Sequence, residues 1–139
     1  MKQTQRRKDA KMIELSVEHE SIARHIGDAA FAVHSAVRPG LLETVYEKCL
    51  VHELATRQFR VERQVPLPIQ YRGVVIEGGF RLDVLVEDLV VVEIKAVERI
   101  VPVYEAQILT YLKLSKKHLG FLINFNVPLI KDGIRRFVR

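Results

Sequence analysis

Two acids and one amine interrupt stretches of the 139-residue sequence that are otherwise apolar: Asp83 within Leu82–Val86, and Glu93 and Lys95 within Val90–Val97. An unpaired carboxylate or ammonium costs several kcal/mol to bury, so charges in such strands are paired, bound to a metal or placed at a cleft. Side chains alternate across a strand, so Glu93 and Lys95 share a face, and Asp83 joins them if the connecting loop pairs odd positions with odd. A three-residue loop at Glu87-Asp88-Leu89 does this, setting Asp83 across from Glu93 with Cβ atoms roughly 5 Å apart and Arg81 across from Lys95. Two carboxylates at that distance repel unless something positive lies between them, and a hard cation such as Mg²⁺ or Mn²⁺, which takes oxygen ligands and keeps several waters, satisfies the geometry. Lys95, one pleat further along, would orient an attacking water and offset charge developing on a transferring phosphate. The plainer alternative is that Asp-x9-Glu-x-Lys is a loose pattern, and that Glu-x-Lys on an exposed strand is a solvated pair worth under about 1 kcal/mol.

The elements that must position these residues are legible in the periodicity. Ile22, Ile26, Ala29, Ala30, Val33 and Val37 recur at helical spacing, with Ser16 as a cap and Pro39-Gly40 as a stop. A second helix follows, with Leu42, Val45, Tyr46, Cys49 and Leu50 on its apolar stripe to about Ala55, and Glu43 and Glu47 one turn apart. Four antiparallel strands are expected at Val61–Ile69, Val74–Ile76, Arg81–Val86 and Leu89–Val97. Arg72-Gly73 and Glu87-Asp88 serve as turns, and Gly78-Gly79 as a turn or bulge feeding the Asp83 strand. Pro102 opens a third helix, Val103–His118, whose buried face is Tyr104, Ile108, Tyr111 and Leu112. A strand at Phe121–Asn126 and a short edge strand at Ile134–Arg139 close the chain. The order, ααββββαβ(β), is that of an α/β (α+β) domain. The strands around Asp83 and Glu93 are apolar on both faces, as strands covered by helices on both sides are.

Gly40-Leu41-Leu42-Glu43-Thr44-Val45-Tyr46 matches the Gly-x-x-Glu-x-x-Tyr signature of the GxxExxY protein family, itself part of the PD-(D/E)XK nuclease superfamily. Asp83, Glu93-Ile94-Lys95 and Gln107-x-x-x-Tyr111 resemble the superfamily's further motifs in sequence order, and Gly120–Asn126 resembles the core strand that follows. The resemblance runs from about Ile22 to Val138. It implies a restriction-endonuclease-like αβββαβ core with a mixed central sheet flanked by helices and an extra N-terminal helix. By the same resemblance Asp83 and Glu93 are metal ligands, the Ile94 backbone carbonyl is a third, and Lys95 is the catalytic lysine. Glu43 completes or extends the metal cage, and Gln107 and Tyr111 order the site or contact the substrate strand. Without the resemblance, Glu43 and Gln107 read as helix-surface groups and Tyr111 as core. Leu82 stands where the superfamily's name places proline, a position that supplies no ligand.

The implied activity is Mg²⁺- or Mn²⁺-dependent hydrolysis of phosphodiester bonds in nucleic acid, with DNA expected ahead of RNA. Charge supplies the rival reading. The net charge is +5, but Lys2, Arg6, Arg7, Lys8 and Lys11 against Asp9 put +4 into the first eleven residues and leave about +1 beyond Met12. Residues 1–12 are therefore expected to be a basic flexible leader and 13–139 a single domain, nearly neutral where a duplex-binding groove would be basic. A non-cleaving module that holds nucleic acid or a protein partner, and a homodimer with a structural or regulatory purpose, are the alternatives. The lone Cys49 excludes an intrachain disulfide and reads as a core thiol, and the five histidines show no zinc-type spacing. With no run of about 20 apolar residues and no signal-type segment, a cytoplasmic protein without a membrane span is expected.

Overall fold

The computed structural model describes residues 15–139, so the expected leader lies outside the described residues. The first helix, α1, is Val17–Val37; the Ser16 side chain accepts the His19 amide, and the His19 ring accepts the Ser16 amide, a reciprocal cap on the first turn. Arg38 and Gly40 take left-handed φ values of 60° and 110°, which turns the chain into α2, Glu43–Thr56. Three strands follow, β1 (Val61–Tyr71), β2 (Val74–Val86) and β3 (Val90–Lys95), then α3 (Pro102–Ser115), β4 (Leu119–Asn124), a 3-10 turn at Ile130–Gly133 and β5 (Ile134–Val138).

The five strands form one sheet in the order β1-β2-β3-β4-β5, with β3 parallel to β4 and every other pair antiparallel. β1 is an edge strand, which accommodates Pro66 and Pro68, residues that cannot donate to a ladder. Val74–Ile76 and Arg81–Val86, expected as two strands, are one. Leu67 pairs with Phe80 and Ile69 with Ile76, so three residues of β2 face one of β1, and Gly78 at φ 83° absorbs the excess as a bulge without reversing the chain. Three strands thus precede the helix rather than four. α3 ends at Ser115 rather than His118, because Lys116 is left-handed, and the next strand starts two residues early, at Leu119.

Two apolar layers cover the sheet. Ile22, Ile26 and Ala29 of α1 and Tyr46, Leu50 and Leu54 of α2 pack on Val84, Val90, Val92, Ile94 and Phe121, while Ile108 and Leu112 of α3 pack on Leu85, Val91 and Leu122. All of Val90–Ile94 is buried, as the doubly apolar pattern requires. At Gly120 an added Cβ would lie 3.1 and 3.2 Å from Leu112 and Ile108, so this glycine lets α3 approach β4 closely. Tyr104 and Tyr111, expected in the core, are only half-buried; they flank the end of the sheet where Asp83 and Lys95 emerge. Cys49 is also half-buried, in a cleft between α1 and α2. No helix among the described residues is long and apolar enough to cross a membrane.

Candidate active site

The β2–β3 register is the one the three-residue loop predicts. Val86 pairs with Val90, Leu85 with Val91 and Val84 with Val92, and Glu87 and Asp88 take left-handed φ values of 53° and 56°. The next pair in this register is Asp83 and Glu93, and there the backbone ladder gives way to side chains. The Asp83 amide donates to Glu93 Oε2 at 3.0 Å, and the Ile94 amide donates to Asp83 Oδ2 at 2.8 Å. Each carboxylate therefore crosses to the opposite strand, and the ladder ends before it reaches Arg81 and Lys95. Leu82 and Leu85 both pack on the α3 side, a slip in the two-residue alternation, and Gln64 in the adjacent strand has φ 52°. Asp83 lies within that slip.

The electrostatics follow from this crowding. Burial pushes the Asp83 carboxyl up, with the Ile94 N–H opposing it, and Glu93 is pushed up to about 9, by burial first and the Asp83 charge second. Lys95 favours the ionised form of both acids without offsetting their desolvation. Without a cation, Glu93 holds a proton at neutral pH; the half-buried Asp83 and buried Glu93, mutually repelling all-oxygen donors, fit a hard divalent ion.

Lys95 ends β3 with its Nζ 4.3 Å from the centre of the Tyr104 ring, a cation–π contact that holds the amine beside α3. The strand exit behind it is clamped. Buried Asn124, register partner of Lys95, accepts the Val97 amide at 3.0 Å and donates to the Val97 carbonyl at 2.9 Å, while the Phe125 amide donates to the Lys95 carbonyl.

The Gly40–Tyr46 motif works as one unit. Gly40 supplies the left-handed turn, and Tyr46, fully buried and stacked on Phe125, donates its hydroxyl to the Arg38 carbonyl and accepts the Leu41 amide. Glu43, the first residue of α2, is thereby aimed at the end of β3, and its Oε2 accepts the Ala96 amide at 3.4 Å. Among the described residues no three acid, imidazole or thiol groups converge into a closed cage. Glu43 reaches the residue after Lys95 and does not join Asp83 and Glu93 in a group of three.

Gln107 and Tyr111 are half-buried on α3. Burial raises the Tyr111 phenol first, and the charges of Glu93 and Asp83 raise it further. Its ring meets Phe80 edge to face, centroids 5.5 Å apart. Ile94 is buried and gives its amide to Asp83.

The sequence reading passed over three residues that shape this site. Glu47 is buried and bound to Arg63 at 2.8 Å and to the Gln64 amide at 3.0 and 3.1 Å, and its charge adds to the pressure on Asp83. Asn124 carried a signal, a lone amide in an apolar strand. Tyr104 carried none, since an aromatic residue at helical spacing looks like core.

Residues 20–137, from α1 to β5 and including Asp83, Glu93 and Lys95, match the PD-(D/E)XK nuclease superfamily. No curated protein and no solved structure matches the chain. The match spans most of the sequence, and the mixed five-stranded sheet between helices carries both acids and the lysine at the β2–β3 junction. On these grounds the chain belongs to the PD-(D/E)XK nuclease superfamily and has its restriction-endonuclease-like fold.

Proposed function

We propose that the protein is a divalent-metal-dependent nuclease that hydrolyses phosphodiester bonds, in DNA ahead of RNA. Superfamily nucleases generally use divalent metal ions, and the observation that carries the reading here is the pair of acids, half-buried Asp83 and buried Glu93, crossing between β2 and β3 beside Lys95. These two carboxylates would hold Mg²⁺ or Mn²⁺, with the Ile94 carbonyl as a further ligand and Glu43 extending the set. The bound ion supplies charge neutralisation and a more acidic water. Lys95, held over Tyr104, directs its amine to the phosphate and stabilises the negative charge that builds on it. Gln107 and Tyr111, one turn apart on α3, order the substrate strand. The Gly40–Tyr46 unit supports membership of the GxxExxY family, because Tyr46 anchors the turn that presents Glu43.

Incubating the full chain with linear, circular, single-stranded and branched DNA plus Mn²⁺ tests this. Cleavage lost in both Asp83→Ala and Lys95→Ala is expected; cleavage that persists in both refutes the assigned roles. A second reading, a non-cleaving module on a nuclease fold, is favoured by the near balance of charge beyond residue 12. It predicts no cleavage with any metal, together with salt-sensitive binding that depends on the basic leader.

A further inference from the structure

The described residues carry seventeen Lys and Arg against fifteen Asp and Glu, and six of the cations (Arg57, Arg60, Arg63, Lys117, Arg135 and Arg136) are already paired with carboxylates. A surface so balanced releases few counterions on binding phosphates, so the folded body gains little affinity by tracking a backbone. Apart from the basic residues at 1–12, affinity for a strand must then come from elsewhere in the nucleotide.

One groove beside the acids has the chemistry for it. Val103, Ala106, Gln107, Thr110 and Tyr111 form a stripe along α3, and Phe80 of β2 stands against Tyr111, around a cavity of about 330 Å³ without a single charged side chain. Tyr111 belongs to both places. It meets Phe80 in the groove wall, and the charges of Glu93 and Asp83 reach its hydroxyl. Phe80 lies three residues before Asp83 on β2. Phe80 and Tyr111 thus tie the groove to the phosphate-handling acids, and it offers two aromatic rings, an amide and a hydroxyl. That combination suits a neutral, planar, hydrogen-bonding group and is unsuited to a phosphate.

We propose that this groove receives the unpaired base next to the phosphate that is cut, so that the substrate is single-stranded nucleic acid or a frayed end. The inference rests on the reading of Asp83 and Glu93 as the phosphate-handling centre. A base inside a duplex cannot leave its stack without an unpairing cost, whereas a single strand presents it freely. The base packs against the aromatic wall, Gln107 reads its polar edge, and Thr110 lies within the same groove.

Binding and cleavage are measured side by side on the full chain. Fluorescence anisotropy compares a labelled oligothymidylate with the same strand made of abasic sites, in Ca²⁺, for wild type and Phe80→Leu. The wild type should bind the thymidylate strand about tenfold tighter than the abasic strand, and Phe80→Leu should lose most of that preference while its affinity for the abasic strand stays put. Equal affinity of the wild type for both strands, or an equal drop on both in the variant, overturns the proposal. Should Phe80→Leu fail to fold, Ala106→Leu, at an exposed position of α3, fills the groove and should erase the same preference. Cleavage of both strands in Mn²⁺ without base-dependent binding defeats the groove and leaves the nuclease reading standing. Base-dependent binding without cleavage does the reverse.

Discussion

Glu47 on α2 and Glu93 on β3 are both nearly fully buried acids, 4% and 7% exposed, with opposite surroundings. Glu47 is met by the Arg63 guanidinium and by both hydrogens' worth of reach from the Gln64 amide, so its charge is matched where it stands. Glu93 meets another carboxylate, and its cation, Lys95, is drawn toward the Tyr104 ring. The first arrangement is that of a fold holding itself together. The second stores repulsion that only a proton or an added cation relieves, and such unsatisfied pairs mark sites of function more than of stability.

The sharpest way to break this contrast is to neutralise one acid in each centre. Asp83→Asn and Glu93→Gln should each lower cleavage by about 10³-fold while the metal-free melting temperature holds or rises, because removing either acid removes repulsion. A fall of several degrees in the metal-free Glu93→Gln protein would show that Glu93 is structural after all.

Arg63→Ala should do the opposite. It strands the Glu47 charge in the core and should cost about 3 kcal/mol in urea unfolding, with the folded fraction keeping its cleavage rate per molecule. Glu47→Gln should restore much of that loss in the double variant, since the stranded charge is then gone.

The pH dependence sharpens the comparison further. Glu93 has a folded-state pKa raised to about 9 from 4.5, so the stability linked to its proton is complete below about pH 4.5 and is lost as pH rises through 9. The metal-free wild type should therefore melt progressively lower than Glu93→Gln between pH 5 and 9. Mn²⁺ should stabilise the wild type more at the upper end, where fewer protons must leave. A Mn²⁺ shift independent of pH across this range contradicts a proton held on the pair.

The smallest expected effect concerns the amine. Tyr104→Leu should reduce kcat about fivefold with little change in KM, and Tyr104→Phe should restore it, because the ring face rather than the hydroxyl holds Lys95. Equal loss in both variants would assign the effect to packing of α3.

Much of this site was open to reading before any coordinates. Asp83, Glu93 and Lys95 stand out because strands apolar on both faces tolerate few charges, and the facing of Asp83 and Glu93 follows from the count of residues between Val86 and Val90. Gly78-Gly79 was the weak point. A glycine pair with one member at positive φ serves a turn or a bulge equally well, and which one forms depends on whether β1 continues alongside, which it does as far as Tyr71.

By itself the sequence determined the local choices: where helices start and where the first two stop, which strands are covered on both faces, and that two acids and a lysine interrupt them. These depend on neighbours a few residues away, through capping, periodicity and loop length. Tertiary structure alone decided which acid is matched and which is not. Glu47 finds Arg63 and Gln64 on β1, Asn124 clamps Val97 across the sheet, and Lys95 meets Tyr104 from α3. Whether a buried charge is neutralised depends on groups within a few ångströms in space, and chain distance carries no record of them.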